Sequence, residues 1–275
     1  MKYIPRELSK EIREKLKLVV KPRSHGMFKE LFRADCNSFC QKRRGKAIGK
    51  NAQIHSYRIE SPMTMVPFSV PRNKGKRGIR EGIQNIGRAV QWGKENFDPA
   101  NFEEDFFREI SGRIEPEIYA GDLAQYRTTG TRITGASVTP PEPYKVNVKE
   151  IPWLVESLKR QLECPHLINK IEGAFFAHLH IARIHPFVDG NGRTARAVQD
   201  VILDHYNLPV PIIEVGERHD YYKRLDEAVY GWKHERCKGE TEHGATRGER
   251  SFYTFMAGKL NISLDNLLGF LGNKI

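Results

Sequence analysis

The chain has 275 residues, 39% hydrophobic and 29% charged, with 45 Lys and Arg against 34 Asp and Glu for a formal net charge of +11. That length suits one large domain or two small ones with a substantial core, and no apolar run approaches the roughly 20 residues that span a bilayer. Lys10, Glu11, Arg13, Glu14 and Lys15 interrupt the N-terminal segment, so no signal-peptide core is expected. Cys36, Cys40, Cys164 and Cys237 form neither a disulfide framework nor a ligand-spaced cluster, which fits free thiols in a reducing, cytoplasmic setting.

In chain order, residues 1–45 read as an N-terminal extension of two short basic helices broken around Pro22 to Gly26, and residues 46–60 as a further helix. Pro62, Pro67 and Pro71 then interrupt regular structure, and the basic run Arg72 to Arg80 reads as a solvated loop. No zinc-finger or RNA-recognition motif accompanies that run, so nucleic acid is a disfavoured partner and a membrane is not expected. Ile79, Ile83, Ile86 and Val90 recur at helical spacing, and another helix is predicted from Phe102 to Ile114. From Tyr126 to Val138, β-branched residues around Gly130 and Gly135 read as a short hairpin ending at Pro140-Pro141. Helices resume near Val148. Lys170 to Ile184 carries Ile171, Phe175, Leu179 and Ala182 as an apolar stripe, and a charged loop from Lys233 to Arg250 precedes an amphipathic C-terminal helix. The expectation is a mainly α fold with one small β-hairpin.

The chemistry concentrates in His185-Pro186-Phe187-Val188-Asp189-Gly190-Asn191-Gly192-Arg193-Thr194-Ala195-Arg196. Gly190-Asn191-Gly192 lies where an apolar helical pattern begins (Ala195, Val198, Val201, Ile202), so its backbone N–H groups face an anion at a helix N-terminus. Arg193 and Arg196 share a face of the first turn, where forked guanidinium groups hold phosphate oxygens. Asp189 in front of such a cradle needs a cation between itself and the phosphates, and Mg²⁺ held by one carboxylate plus phosphate oxygens meets that need. His185 is the group that titrates near neutrality, and it is the candidate general base. A dinucleotide fingerprint at Gly190 is rejected because no strand precedes it. His178 and His180 are two apart, point to different faces of a helix, and read as structural.

This segment resembles the signature HPFx(D/E)GNGRxxR of the Fic family and matches it at every specified position. The resemblance implies a Fic-type helical bundle in which the hairpin is a flap, and transfer of AMP from ATP, with Mg²⁺, to a hydroxyl side chain of a protein. It assigns catalysis to His185, Asp189, Arg193 and Arg196. Nucleotide binding falls to Gly190, Asn191, Gly192, Arg193 and Arg196, with Tyr222 near the nucleoside, and Mg²⁺ to Asp189. Thr129, Gly130, Thr131, Arg132 and Ile133 would be the flap that docks the backbone of a target carrying a Ser, Thr or Tyr hydroxyl. Self-modification and a homo-oligomer are further expectations.

Ser56-Tyr57-Arg58-Ile59-Glu60-Ser61 resembles the family's inhibitory motif (S/T)xxxE(G/N), with Ser61 in place of Gly or Asn. One turn apart on a helix, Ser56 and Glu60 share a face, and a Glu60 to Arg196 ion pair would occupy the guanidinium meant for the γ-phosphate. The organisation expected is therefore 1–45 as extension, 46–232 as catalytic domain with its inhibitory helix near 50–60, and 233–275 as loop and C-terminal helix packed on the core. An autoinhibited protein adenylyltransferase follows. The alternatives are a transferase of another nucleotide, an enzyme that removes AMP, and a nucleotide-responsive binding module without transferase activity.

Overall fold

A computed structural model describes residues 3–20, 52–57, 59, 76–120, 123–236 and 244–272. Glu60 and Ser61, Cys36, Cys40 and Cys237, and the second helix expected in the first 45 residues lie outside the described residues. The helices are α1 (Arg6–Val20), α2 (Lys76–Asn96), α3 (Glu104–Ile114), α4 (Pro116–Tyr119) and α5 (Pro143–Lys145). A π-helical turn, Val146–Glu150, leads into α6 (Ile151–Glu163). After it come α7 (Leu167–Ile184), α8 (Asn191–His205), α9 (Arg218–His234) and α10 (Arg247–Gly272). Residues 52–57 are also helical.

The centre of the molecule is α7. It has more than the expected stripe: Ile168, Ile171, Phe175, Phe176, Leu179, Ile181 and Ile184 are all buried, as are residues between them. A helix apolar all round must be enclosed by others, and α6, α8, α9 and α10 surround it. It also starts a turn earlier than Lys170.

α2 and α8 approach closely at Gly93, where an added Cβ would stand 2.6 Å from a Val201 methyl. The basic run expected to be a loop is helical from Lys76 onward, the first turn of α2. On the other side, Ile12, Leu16 and Val19 of α1 recur at helical spacing and are buried, with α1 lying on α10. The buried Glu172 carboxylate of α7 accepts the Tyr3 and Ile4 N–H groups at 2.7 and 3.0 Å, tying the N-terminal segment to the same core.

Two further expectations are corrected. The charged stretch from Lys233 to Arg250 is helical at both ends: α9 runs through His234, and α10 opens on a capping box. There the Thr246 Oγ accepts the Glu249 N–H while the Glu249 carboxylate accepts the Thr246 N–H. The hairpin at 126–138 is absent. A single antiparallel bridge joins Tyr126 to Phe187, and the rest is irregular backbone with a turn, closed by an Ala136 N–H to Ile133 carbonyl bond. Tyr126 pairs with the loop after α7 instead of with a second arm of its own segment.

Candidate active site

The site forms where α7 stops and α8 starts. His185 ends α7 in the left-handed conformation (φ 51°, ψ 56°), its N–H on the Ile181 carbonyl at 2.9 Å. A non-glycine residue is uncommon there, and the turn it makes throws the chain sideways out of the helix. The next residues are fastened one by one. The side-chain amide of Asn191 accepts the Phe187 N–H and donates to the Phe187 carbonyl, both at 2.8 Å, and Phe187 itself is fully buried. Asn191 therefore spends its side chain on the loop, and what it offers a phosphate is its backbone N–H. Tyr119 Oη accepts the Val188 N–H at 3.3 Å; burial pushes that phenol's pKa up, against the lowering influence of the backbone bonds from Val188 and Asp189.

Gly190 then reverses the chain with φ +77° and forms the N-cap of α8. Two constraints meet at this position, because a Cβ would also stand 2.9 Å from the Glu115 Cγ. α8 has no side-chain cap, and its first intrahelical bond runs from Thr194 N–H to the Gly190 carbonyl. The N–H groups of Asn191, Gly192 and Arg193 thus stand at an uncapped helix start, which favours anions. Asp189 is exposed in front of it, with Oδ1 accepting the Gly190 N–H at 2.6 Å. An exposed single carboxylate beside an anion cradle fits a hard cation shared with bound phosphates. Among the described residues there is no group of three or more His, Cys, Asp or Glu side chains arranged to hold a metal by themselves.

The two arginines have different surroundings. Arg193 is ion-paired with Glu115, both side chains largely buried, and its Nη2 lies 3.5 Å from Asp189 Oδ1. Arg196 is buried: Nε donates to Ser56 Oγ at 2.8 Å, Nη2 to the Ser56 carbonyl at 3.0 Å, and Nη1 to Tyr221 Oη at 3.3 Å. Ser56 thus meets Arg196 directly, while the expected Glu60 to Arg196 ion pair falls on a residue outside those described. Tyr221 continues into a buried chain through His178 (2.8 Å) to Gln199 (2.7 Å). His180 instead faces Trp153 and Trp232 and accepts from Arg183 Nε at 2.9 Å; burial, then the nearby arginines, lowers its pKa well below the usual histidine range. The two histidines have separate neighbours, as expected of structural groups.

Tyr222 is exposed; its ring lies tilted at 49° against Tyr221, carries Arg218 over its face, and its hydroxyl reaches the Ile59 carbonyl at 3.5 Å. The loop with Thr129, Gly130, Thr131, Arg132 and Ile133 is largely exposed and is held at both ends. Arg127, buried, donates Nε to the His185 carbonyl at 2.7 Å and Nη1 to the Thr129 carbonyl at 3.0 Å, with Nη2 on the Pro141 carbonyl; its N–H bonds the Pro186 carbonyl at 2.9 Å. At the far end Ser137 donates its N–H and its hydroxyl to the two Asp226 carboxylate oxygens at 2.8 and 2.5 Å. Glu115, Tyr119, Arg127 and Tyr221 are the site residues that sequence reading missed in these roles.

Chemically, the arrangement places an imidazole beside an anion cradle with two guanidinium groups and an exposed carboxylate. Residues 101–203 match the model of the Fic/DOC family. Among curated proteins, the chain is 28% identical over 174 residues to the protein adenylyltransferase Fic of Nematostella vectensis, covering 63% of this chain and 38% of that one. It is 30% identical over 172 residues to protein adenylyltransferase fic-1 of Caenorhabditis elegans, covering 62% and 31%. The chain therefore spans less than two fifths of the length of these relatives. Its fold is similar to that of the solved structure of C. elegans Fic-1, with TM-score 0.69 at 18% identity over 98% of this chain and 73% of that one.

Proposed function

The chain belongs to the Fic family, and from that premise we propose that it is a protein adenylyltransferase, moving AMP from ATP to a Ser, Thr or Tyr hydroxyl of a protein. The observation that carries this reading is the junction of α7 and α8: His185 at the left-handed end of one helix, and an uncapped N-terminus with Arg193 and Arg196 at the start of the next.

In the proposed reaction His185 accepts the proton of the target hydroxyl as its oxygen attacks the α-phosphorus in line. The bond from the α-phosphorus to the bridging oxygen breaks, pyrophosphate leaves, and AMP stays on the target. Positioning and charge stabilisation make up most of such catalysis. The N–H groups of Asn191, Gly192 and Arg193 receive phosphate oxygens, and Arg193 and Arg196 hold the β- and γ-phosphates. Asp189 would hold Mg²⁺, which supplies charge neutralisation along the phosphates. Tyr222 borders the nucleoside, and the exposed loop around Thr129 to Ile133 aligns the target backbone. Catalysis belongs to the span 46–232, with α1 and α10 packed on the same core, in a cytoplasmic setting; no described helix is long and apolar enough to cross a membrane.

Autoinhibition is part of the reading. Its support is the engagement of both the hydroxyl and the carbonyl of Ser56 with Arg196; Glu60 follows four residues later on the same segment. The test is intact mass after incubating wild type, Glu60→Gly and His185→Ala with Mg²⁺, ATP and a mixture of candidate target proteins. An AMP adduct strongest with Glu60→Gly and absent with His185→Ala is the expected result. An adduct undiminished in His185→Ala removes His185 as the base, and equal adducts in wild type and Glu60→Gly remove the brake.

A further inference from the structure

We propose that Glu115 is a positioning residue for the nucleotide, holding the Arg193 guanidinium in the pose that receives a phosphate; this rests on reading the cradle as a nucleotide site. Glu115 lies at the junction of α3 and α4, far from the motif in sequence, and is 4% exposed. It touches the motif at two places, ion-paired with Arg193 and packed on the face of Gly190 where a side chain would otherwise stand.

A carboxylate beside a phosphate site has two physical readings. It is a competitor that must leave before phosphate binds, or a fixed partner that aims the arginine. The surroundings of Glu115 favour the second. Its backbone closes α3, its N–H bonded to the Ser111 carbonyl at 3.0 Å, and Pro116 follows at once to open α4. Its methylene is packed on Gly190, so departure of the carboxylate would need rearrangement of the turn that starts α8. Ser56, by contrast, approaches Arg196 from a segment 140 residues away in sequence. One arginine thus faces a partner built into the wall of the site, and the other a partner on a separate segment.

The geometry also divides the labour of Arg193. Glu115 takes Nη1, while Nη2 is turned toward Asp189 Oδ1 at 3.5 Å, the side on which the cradle opens. A guanidinium has five N–H donors in a rigid fork, so fixing one edge on a carboxylate aims the rest. An arginine held this way loses less side-chain freedom when a phosphate arrives than one that is mobile. The contribution is specific to a ligand with phosphates beyond the first.

The test is isothermal titration of the full chain with Mg-ATP and, separately, with AMP, for wild type, Glu115→Gln, Glu115→Ala, Arg193→Met and the Glu115→Ala/Arg193→Met pair. Expected is about tenfold weaker Mg-ATP binding in Glu115→Ala with AMP affinity unchanged, within about threefold of wild type in Glu115→Gln, and no added loss when Arg193 is already Met. Glu115→Asp, one methylene shorter, carries the same test should alanine fail to fold, and is expected to weaken Mg-ATP while Gln does not. Tighter Mg-ATP binding in Glu115→Gln or Glu115→Ala would make Glu115 a competitor. Equal losses for Mg-ATP and AMP, or additive losses with Arg193→Met, would reduce it to a structural residue. Wild type that binds neither ligand would instead overturn the nucleotide reading of the site itself.

Discussion

The guanidinium of Arg127 donates to the backbone carbonyl of His185 at 2.7 Å, across 58 residues of chain. The same side chain reaches the carbonyls of Thr129, Pro141 and Ile184, so one buried cation gathers the end of α7 and both arms of the loop beside it. Burial lowers its pKa from the usual arginine range, with Glu142 opposing. Arg127→Met is expected to leave buried carbonyls unpaired at about 1–3 kcal/mol for each one that water does not reach. Arg127→Lys is expected to rescue little, since a compact ammonium lacks the spread of the fork. Urea denaturation of the three proteins checks this, and stability in Arg127→Lys equal to wild type would contradict it.

Gly190→Ala places a side chain where φ is +77° and where Glu115 already stands. The left-handed backbone alone costs about 1–2 kcal/mol, before any shift of Glu115. Reduced thermal stability and weakened Mg-ATP binding are expected together, because the altered turn is also the start of the cradle. A variant that melts with wild type would show that the turn relaxes freely.

Asp226 holds the loop end at Ser137 through both carboxylate oxygens and lies one turn along α9 from Tyr222. Asp226→Ala is expected to lower the rate of target modification several-fold while Mg-ATP affinity stays at the wild-type value. Titration calorimetry alongside the adduct assay separates the two, and a parallel loss of Mg-ATP binding would place the effect in the core instead.

Burial pushes the Asp200 carboxyl up to about 7, opposed by the Gln199 amide, Lys94 and Arg196 and reinforced by Asp204. An acid raised on folding binds more protons folded than unfolded between its ordinary range and that value, so stability falls as pH climbs through the interval. Asp200→Asn stays neutral. Its advantage over wild type is expected to grow from pH 5 to pH 8, at about 2–4 °C in melting temperature for each kcal/mol recovered. A melting difference that does not change with pH would rule out Asp200 as its source.

How much of this was legible depended on whether the signal was local. The motif from His185 to Arg196 is contiguous, so its groups were readable together, and α7 announced itself by its apolar run. Glu115, Tyr119 and Arg127 reach the same loop from other elements. Nothing beside them in the chain marks that destination. Asn191 was read as a phosphate ligand through its backbone N–H, and nothing next to it in the chain marks that its side-chain amide is matched to the Phe187 peptide. The Tyr126 to Val138 stretch has the composition of a hairpin, but strand pairing needs a partner, and among the described residues the one Tyr126 bridges to is Phe187. At α10 the signal was present and overlooked: Thr246-Arg247-Gly248-Glu249 is a helix start written in the chain.

His185 ends a helix enclosed by most of the protein, whereas the loop around Thr129 to Ile133 is fastened to it at a few points and otherwise lies open. Substitutions across that exposed loop can accumulate without disturbing the helix end at His185. A lineage carrying this scaffold is therefore free to vary the outer face of the loop while inheriting one unchanged junction between α7 and α8.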